Sequence, residues 1–204
     1  MSFDAGTVHH VYTHANGSEN LFRSEENYRY FLERYGDHIY PVATTYAYCL
    51  MPNHLHLMIR IRSEGEVLDF VRIKKHDSSL QGLETFGGVS KIISQQFSNL
   101  FNGYTQAYNK RYARRGSLFI PNFKRKRVSS DTYFTQLIAY IHNNPVKHGF
   151  VEQLFDWPHS SIHAYLLDKA SKLDRKYLED WLGNKEALLT FHRSLLDKGG
   201  KEFE

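Results

Sequence analysis

The chain has 204 residues, 41% hydrophobic and 24% charged, so a collagen-like, coiled-coil or disordered polymer is excluded and one domain of ordinary size with a terminal extension is expected. A single cysteine, Cys49, rules out an intrachain disulfide, a zinc ribbon and a CxxC redox site; no signal-like or membrane-spanning run opens the chain, so a soluble cytoplasmic protein with no membrane partner is expected. The net charge of +4 is unevenly spread: between Glu84 and Asp131 there is no acidic residue, while Lys91, Lys110, Arg111, Arg114, Arg115, Lys124, Arg125, Lys126 and Arg127 supply +9, which leaves −5 for the remainder and points to a phosphate-rich partner.

Residues 6–12 read as a first strand. Ser24, Glu25 and Glu26 open an amphipathic helix carrying Tyr28, Phe31, Leu32 and Tyr35. Residues 42–51 are rich in strand formers, Pro52 and Asn53 interrupt them, and residues 54–62 then alternate with period two. Leu55, Leu57, Ile59 and Ile61 take one face of that strand and His54, His56, Met58 and Arg60 the other, and the two runs read as an antiparallel hairpin. Residues 77–88 read as a loop, and residues 89–114 as a long helix whose far end enters the basic cluster. Residues 116–128 read as irregular or a short hairpin about Pro121 and Asn122. Asp131 is expected to cap a helix that runs through Tyr140 and stops at Asn144 and Pro145, and two more helices divided at Gly183 and Asn184 follow residue 166. This order predicts an α+β fold, one antiparallel sheet with helices packed on it.

His54 and His56 point the same way from one strand, so their rings can close on a single ion, although core or surface histidines fit the same spacing. His9 and His10 are adjacent, face opposite sides and are poorer candidates; His14 and His148 are among those whose spacing implies no shared coordination. On the later helix Tyr140 and Asn144 are four residues apart and share a face, so an amide oxygen can join two imidazoles beside a phenol; amphipathic core is the alternative. Tyr104, Tyr108, Tyr112, Phe119 and Phe123, interleaved with the basic residues, are candidates to stack on unpaired bases.

Several motifs, in order and in register, resemble a known family. The segment Tyr48-Cys49-Leu50-Met51-Pro52-Asn53-His54-Leu55-His56-Leu57 is similar to the His-hydrophobic-His strand of the single-tyrosine transposases. Tyr140-Ile141-His142-Asn143-Asn144-Pro145-Val146-Lys147-His148-Gly149 resembles their tyrosine helix, especially in the REP-associated tyrosine transposases, and Asp156-Trp157-Pro158-His159-Ser160-Ser161 resembles the motif that follows it. The resemblance covers about residues 6 to 165, and the stretch from about His76 to Gly88 looks like an insertion. It implies a ferredoxin-like catalytic domain over residues 1–165 with a helical extension over 166–204, and DNA strand transfer at single-stranded or hairpin DNA through a 5′-phosphotyrosine. It implies Mg2+ or Mn2+ on His54 and His56 with Asn144 as third ligand, and Tyr140 as nucleophile, with Lys110, Arg111, Arg114, Arg115 and Lys124 to Arg127 on the DNA. Monomer or homodimer is left open, and two other outcomes stand beside cleavage by tyrosine: a hairpin-binding module that does not cut, and a metal-dependent hydrolase using water.

Overall fold

A computed structural model describes residues 2–74, 88–167, 171–196 and 203, the last two of the 171–196 stretch as backbone only; most of the expected loop at 77–88 lies outside the described residues. Strands β1 (Val8–His14), β2 (Ala43–Leu50), β3 (His54–Ile61) and β4 (Lys124–Arg127) form one sheet in the order β2-β3-β1-β4. Every neighbouring pair is antiparallel, and β3 lies between β1 and β2. With helix α1 (Glu25–His38) crossing from β1 to β2, this is the split βαβ arrangement of a ferredoxin-like, α+β fold.

The alternation of β3 divides the molecule into two layers. Leu55, Leu57, Ile59 and Ile61 pack with Phe31 and Tyr35 of α1, with Val67 and Val71 of α2 (Glu64–Ile73), and with Ile92, Phe97 and Leu100 of α3 (Gly88–Arg111). Met58, Ala47 and Cys49 on the opposite face pack with Phe134, Leu137, Ile138 and Ile141 of α4 (Asp131–Lys147). Those four recur at the three- and four-residue steps of one helix face, and each such side chain contributes about 1.5–3 kcal/mol on burial. After a short α5 (Ile162–Leu166), Leu178 of α6 (Arg175–Leu182) and Leu188 of α7 (Lys185–Leu196) enter the same second layer, so the C-terminal helices close over α4.

Two expected boundaries of α4 differ. The N-cap is Ser130, whose Oγ accepts from the Tyr133 N–H at 3.1 Å, and Asp131 is the first helical residue. The helix continues through Pro145 to Lys147, because a proline this late removes a single backbone bond; the chain then turns at Gly149, whose φ of 68° suits a residue without Cβ. The basic run 124–127, expected in irregular chain or in a short hairpin about Pro121 and Asn122, forms the edge strand β4, paired with β1.

The segment from Trp157 to Ser161 closes the other edge of the sheet. Trp157 Nε1–H donates to the Leu50 carbonyl at 3.0 Å, the Leu50 N–H to the His159 carbonyl at 3.0 Å, and the Ser161 N–H to the Tyr48 carbonyl at 2.9 Å. The His159 ring stacks on Tyr28, with centroids 3.3 Å apart, and bonds Glu25. This pairing covers the Tyr48–Leu50 end of the β2 edge, next to the histidine strand.

Candidate active site

Residues opposite one another in an antiparallel ladder share a face. The β1–β3 register sets His14 opposite His54, Tyr12 opposite His56 and His10 opposite Met58, so five ring side chains, His10, Tyr12, His14, His54 and His56, line the sheet face under α4. His54 and His56 are buried, with ring centroids 5.2 Å apart. His54 Nε2 lies 2.8 Å from Asn144 Oδ1, and the Tyr140 ring stands edge-on to His56 at 5.4 Å. The sheet and α4 thus bring together the four residues singled out in the sequence, two from β3 and two a helical turn apart on α4.

His54 Nδ1 also lies 2.8 Å from an amide oxygen, that of Asn53. Burial, then the neighbouring His56 ring, lower the His54 pKa from 6.5 to about 4, so the ring is neutral at pH 7 and holds one proton for two oxygens. With Nδ1–H donating to Asn53, the lone pairs of Nε2 and of Asn144 Oδ1 face each other, and Asn144 Nδ2 is buried with no hydrogen-bond partner among the described residues. Converging lone pairs fit a divalent cation, and an imidazole and amide-oxygen set suits Mg2+ or Mn2+. Among the described residues no three His, Cys, Asp or Glu side chains form a metal-holding group, so such an ion would depend on the Asn144 amide for its third protein ligand.

The surroundings hold groups that sequence spacing did not single out. His10, expected to be a poor candidate, is completely buried, and its Nε2 is 3.0 Å from His56 Nδ1. It therefore fixes the orientation of the His56 ring, the usual task of a group behind a metal-binding imidazole. His14 stacks on His54 at 5.0 Å, and His148 meets the same ring edge-on at 4.9 Å. The signal for His10 and His14 lay in the β1–β3 register, which brings together residues forty or more positions apart; His148 arrives from the C-terminal end of α4. Lys147 Nζ stands 5.4 Å from the Tyr140 ring centroid and Lys126 Nζ 5.6 Å from that of Tyr12, which places two cations at the same corner.

The basic segment divides. In β4, Lys124 pairs with Tyr12 and Lys126 with His10, so the lysines share the histidine face. The arginines lie on the other: Arg125 covers Phe3 at 4.7 Å, and Arg127 is 3.8 Å from Asp4. At the end of α3, Lys110, Arg111 and Arg115 are exposed, whereas Arg114 braces a turn, donating to Glu19 at 2.8 Å, Asn109 at 2.9 Å and the Ser117 carbonyl at 2.8 Å. The expected base-stacking role of the interleaved aromatics is overturned for Tyr104, Tyr108 and Phe119. All three are buried: Tyr104 and Tyr108 sit on the inward face of α3 and donate to the carbonyls of Leu21 and Asn20, and Phe119, beyond the helix, packs into the same core.

No family model matches the chain. It is 28% identical, over 72% of its length and 70% of the relative's, to a Haemophilus influenzae protein assigned as a REP-associated tyrosine transposase. It is 35% identical over 68 residues, 33% of the chain and 38% of the relative, to the Escherichia coli REP-associated tyrosine transposase. A solved structure of a REP-associated tyrosine transposase bound to a REP hairpin superposes with a TM-score of 0.57 at 18% identity, covering 81% of this chain and 82% of that one. The chain is thus similar in sequence to these transposases and shares the fold of the solved one.

Proposed function

We propose that this chain nicks and rejoins single-stranded DNA beside a hairpin through a covalent bond to Tyr140. The observation that carries the proposal is the convergence of Tyr140, His54, His56 and Asn144, from two distant stretches of one chain, at a corner flanked by Lys126 and Lys147. The relationship to transposases, one of them solved on a REP hairpin, supports the choice of substrate.

In this reaction the Tyr140 Oη attacks phosphorus in line. The O–P bond forms as the P–O3′ bond breaks, the electron pair leaves with O3′, which takes up a proton, and the phenol proton passes to solvent. The products are a 5′-phosphotyrosine and a free 3′-hydroxyl. Because a phenol, with pKa near ~10, is a better leaving group than a sugar alcohol, a 3′-hydroxyl can reverse the step without ATP. His54, His56 and Asn144 would hold Mg2+ or Mn2+, which supplies Lewis-acid neutralisation of charge developing on the non-bridging oxygens. His10 keeps the His56 ring oriented, while Lys126 and Lys147 add positive potential where the phosphate must lie. The exposed Lys110, Arg111, Arg115 and Lys124 offer the DNA backbone further charge.

The test is incubation with a labelled hairpin bearing a single-stranded flank, in Mn2+. A denaturation-resistant protein–DNA adduct that Tyr140→Phe abolishes is expected. Cutting that survives Tyr140→Phe would identify a hydrolase using water, and binding without cutting a recognition module.

A further inference from the structure

Tyr140 and Asn144 share one side of α4, and His142, between them, projects from the other and is completely buried. Both its ring nitrogens are engaged: Nε2 lies 2.8 Å from Ser161 Oγ, and Nδ1 lies 2.8 Å from Nε2 of His192, a buried residue of α7. His192 Nδ1 is 2.7 Å from the Leu188 carbonyl, and Ser161 Oγ is 2.8 Å from the backbone nitrogen of Tyr48. The ends fix the direction, since an N–H only donates and a carbonyl only accepts. With the rings neutral, as their burial favours, the Tyr48 N–H donates to Ser161 Oγ, the Ser161 O–H to His142 Nε2, His142 Nδ1–H to His192 Nε2, and His192 Nδ1–H to Leu188. Aligned bonds of this kind polarise and strengthen one another.

The chain starts beside the histidine strand, for Tyr48 pairs with Leu57 and its neighbour Cys49 with His56. It then passes through α4 between the two functional side chains and ends in the C-terminal helix. Asn143 adds a second tie, its Nδ2–H donating to the His192 carbonyl at 3.2 Å. A helix side chain ends about 5–6 Å from the axis, so a roll of about 10° moves its tip by about 1 Å. Displacements of that size cost about a hundredfold in rate.

We propose that Ser161, His142 and His192 are positioning residues that lock the roll of α4 against β3, with α7 as the outer anchor, and so set where Tyr140 and Asn144 stand relative to His54 and His56. What is positioned rests on the function proposed above; the lock itself rests on the hydrogen-bond geometry.

The experiment uses the full chain with Ser161→Ala, His192→Leu, their double variant and Ser161→Thr, each assayed well below its own melting temperature on a saturating hairpin oligonucleotide. Single-turnover adduct formation should slow by about ten- to a hundredfold in Ser161→Ala and in His192→Leu, and half-saturating Mn2+ should rise about tenfold, while hairpin affinity holds within about twofold. The double variant should be no worse than the worse single, since one break opens the chain, and Ser161→Thr should recover most of the rate. Lowered melting temperatures with rate and Mn2+ requirement unchanged would overturn the lock, leaving packing only. Two readouts stand apart from cleavage. Ring nitrogen NMR of the wild type at pH 7 should show His142 as the Nδ1–H tautomer, and the other tautomer would overturn the chain. Mn2+ affinity measured by electron paramagnetic resonance should weaken in His192→Leu; an unchanged value would overturn the lock even if no adduct ever forms. A wild type that binds Mn2+ but forms no Tyr140-dependent adduct removes the proposed reaction alone; one that neither binds Mn2+ nor forms the adduct removes both.

Discussion

His10 was passed over in the sequence because two adjacent histidines on a strand point apart, yet the fold buries it against the ring of His56. Replacing it by alanine frees that ring to turn, so His10→Ala should raise the Mn2+ needed for half-maximal adduct formation by roughly ten- to a hundredfold while leaving Tyr140 in place, measured by metal titration of the cleavage rate. A second residue-scale effect concerns acid. Burial lowers the His192 pKa from 6.5 to about 4, and burial with the His192 ring also pushes His142 down. Below pH 6.5 the unfolded chain takes up protons that the folded chain refuses, so stability is constant above that pH as far as these groups are concerned and falls as the pH drops toward 4. For His192 alone the fully developed loss is on the order of 3 kcal/mol. Urea midpoints should therefore be lower at pH 5 than at pH 7, and His192→Leu should narrow the difference without abolishing it, because His142 and His54 are depressed in the same direction; equal wild-type midpoints would contradict the burial argument.

At the scale of elements, α4 matters most, because it carries both the nucleophile candidate and the amide. Ser130→Ala removes the bond to the Tyr133 N–H and should cost about 1 kcal/mol, read as a lower melting temperature with the adduct still formed. The elements themselves were unevenly legible. β3 was plain in the sequence, since period-two alternation over eight residues fits nothing else, and so were the apolar spacings of α1, α3 and α4. β4 was not: four consecutive basic residues carry no strand signal, and they become a strand only by pairing with β1, a contact between segments over a hundred residues apart. The same reason hides most of the candidate site. His54 and His56 are neighbours in sequence, and Tyr140 and Asn144 in helix turns, so each pair could be read locally, and the family motif joined them. The contributions of His10, His14 and His192 depend on strand register and on how α7 docks, which no local window contains.

For the molecule as a whole, the positive charge concentrated between residues 85 and 130 is apportioned by the fold. Two lysines of β4 face the histidines, while Arg114 is consumed in holding the turn after α3 to Glu19. Lys124→Ala and Lys126→Ala should each weaken hairpin binding alike across sequences and reduce the slope of log affinity against log salt by roughly 0.7–0.9, measured by titration at several salt concentrations. Arg114→Ala should leave that slope unchanged and lower the melting temperature. The lone sulfhydryl carries a practical corollary. Cys49 is wholly enclosed between β2 and α4, and enclosure raises its pKa well above the ordinary thiol range, so the thiolate that alkylating reagents require is scarce and out of reach. A cysteine engineered at an outward position away from the basic groups, such as 152, would thus take a maleimide dye or cross-linker alone, with the native sequence otherwise intact, and make the chain a ready subject for fluorescence reporting of its encounter with DNA.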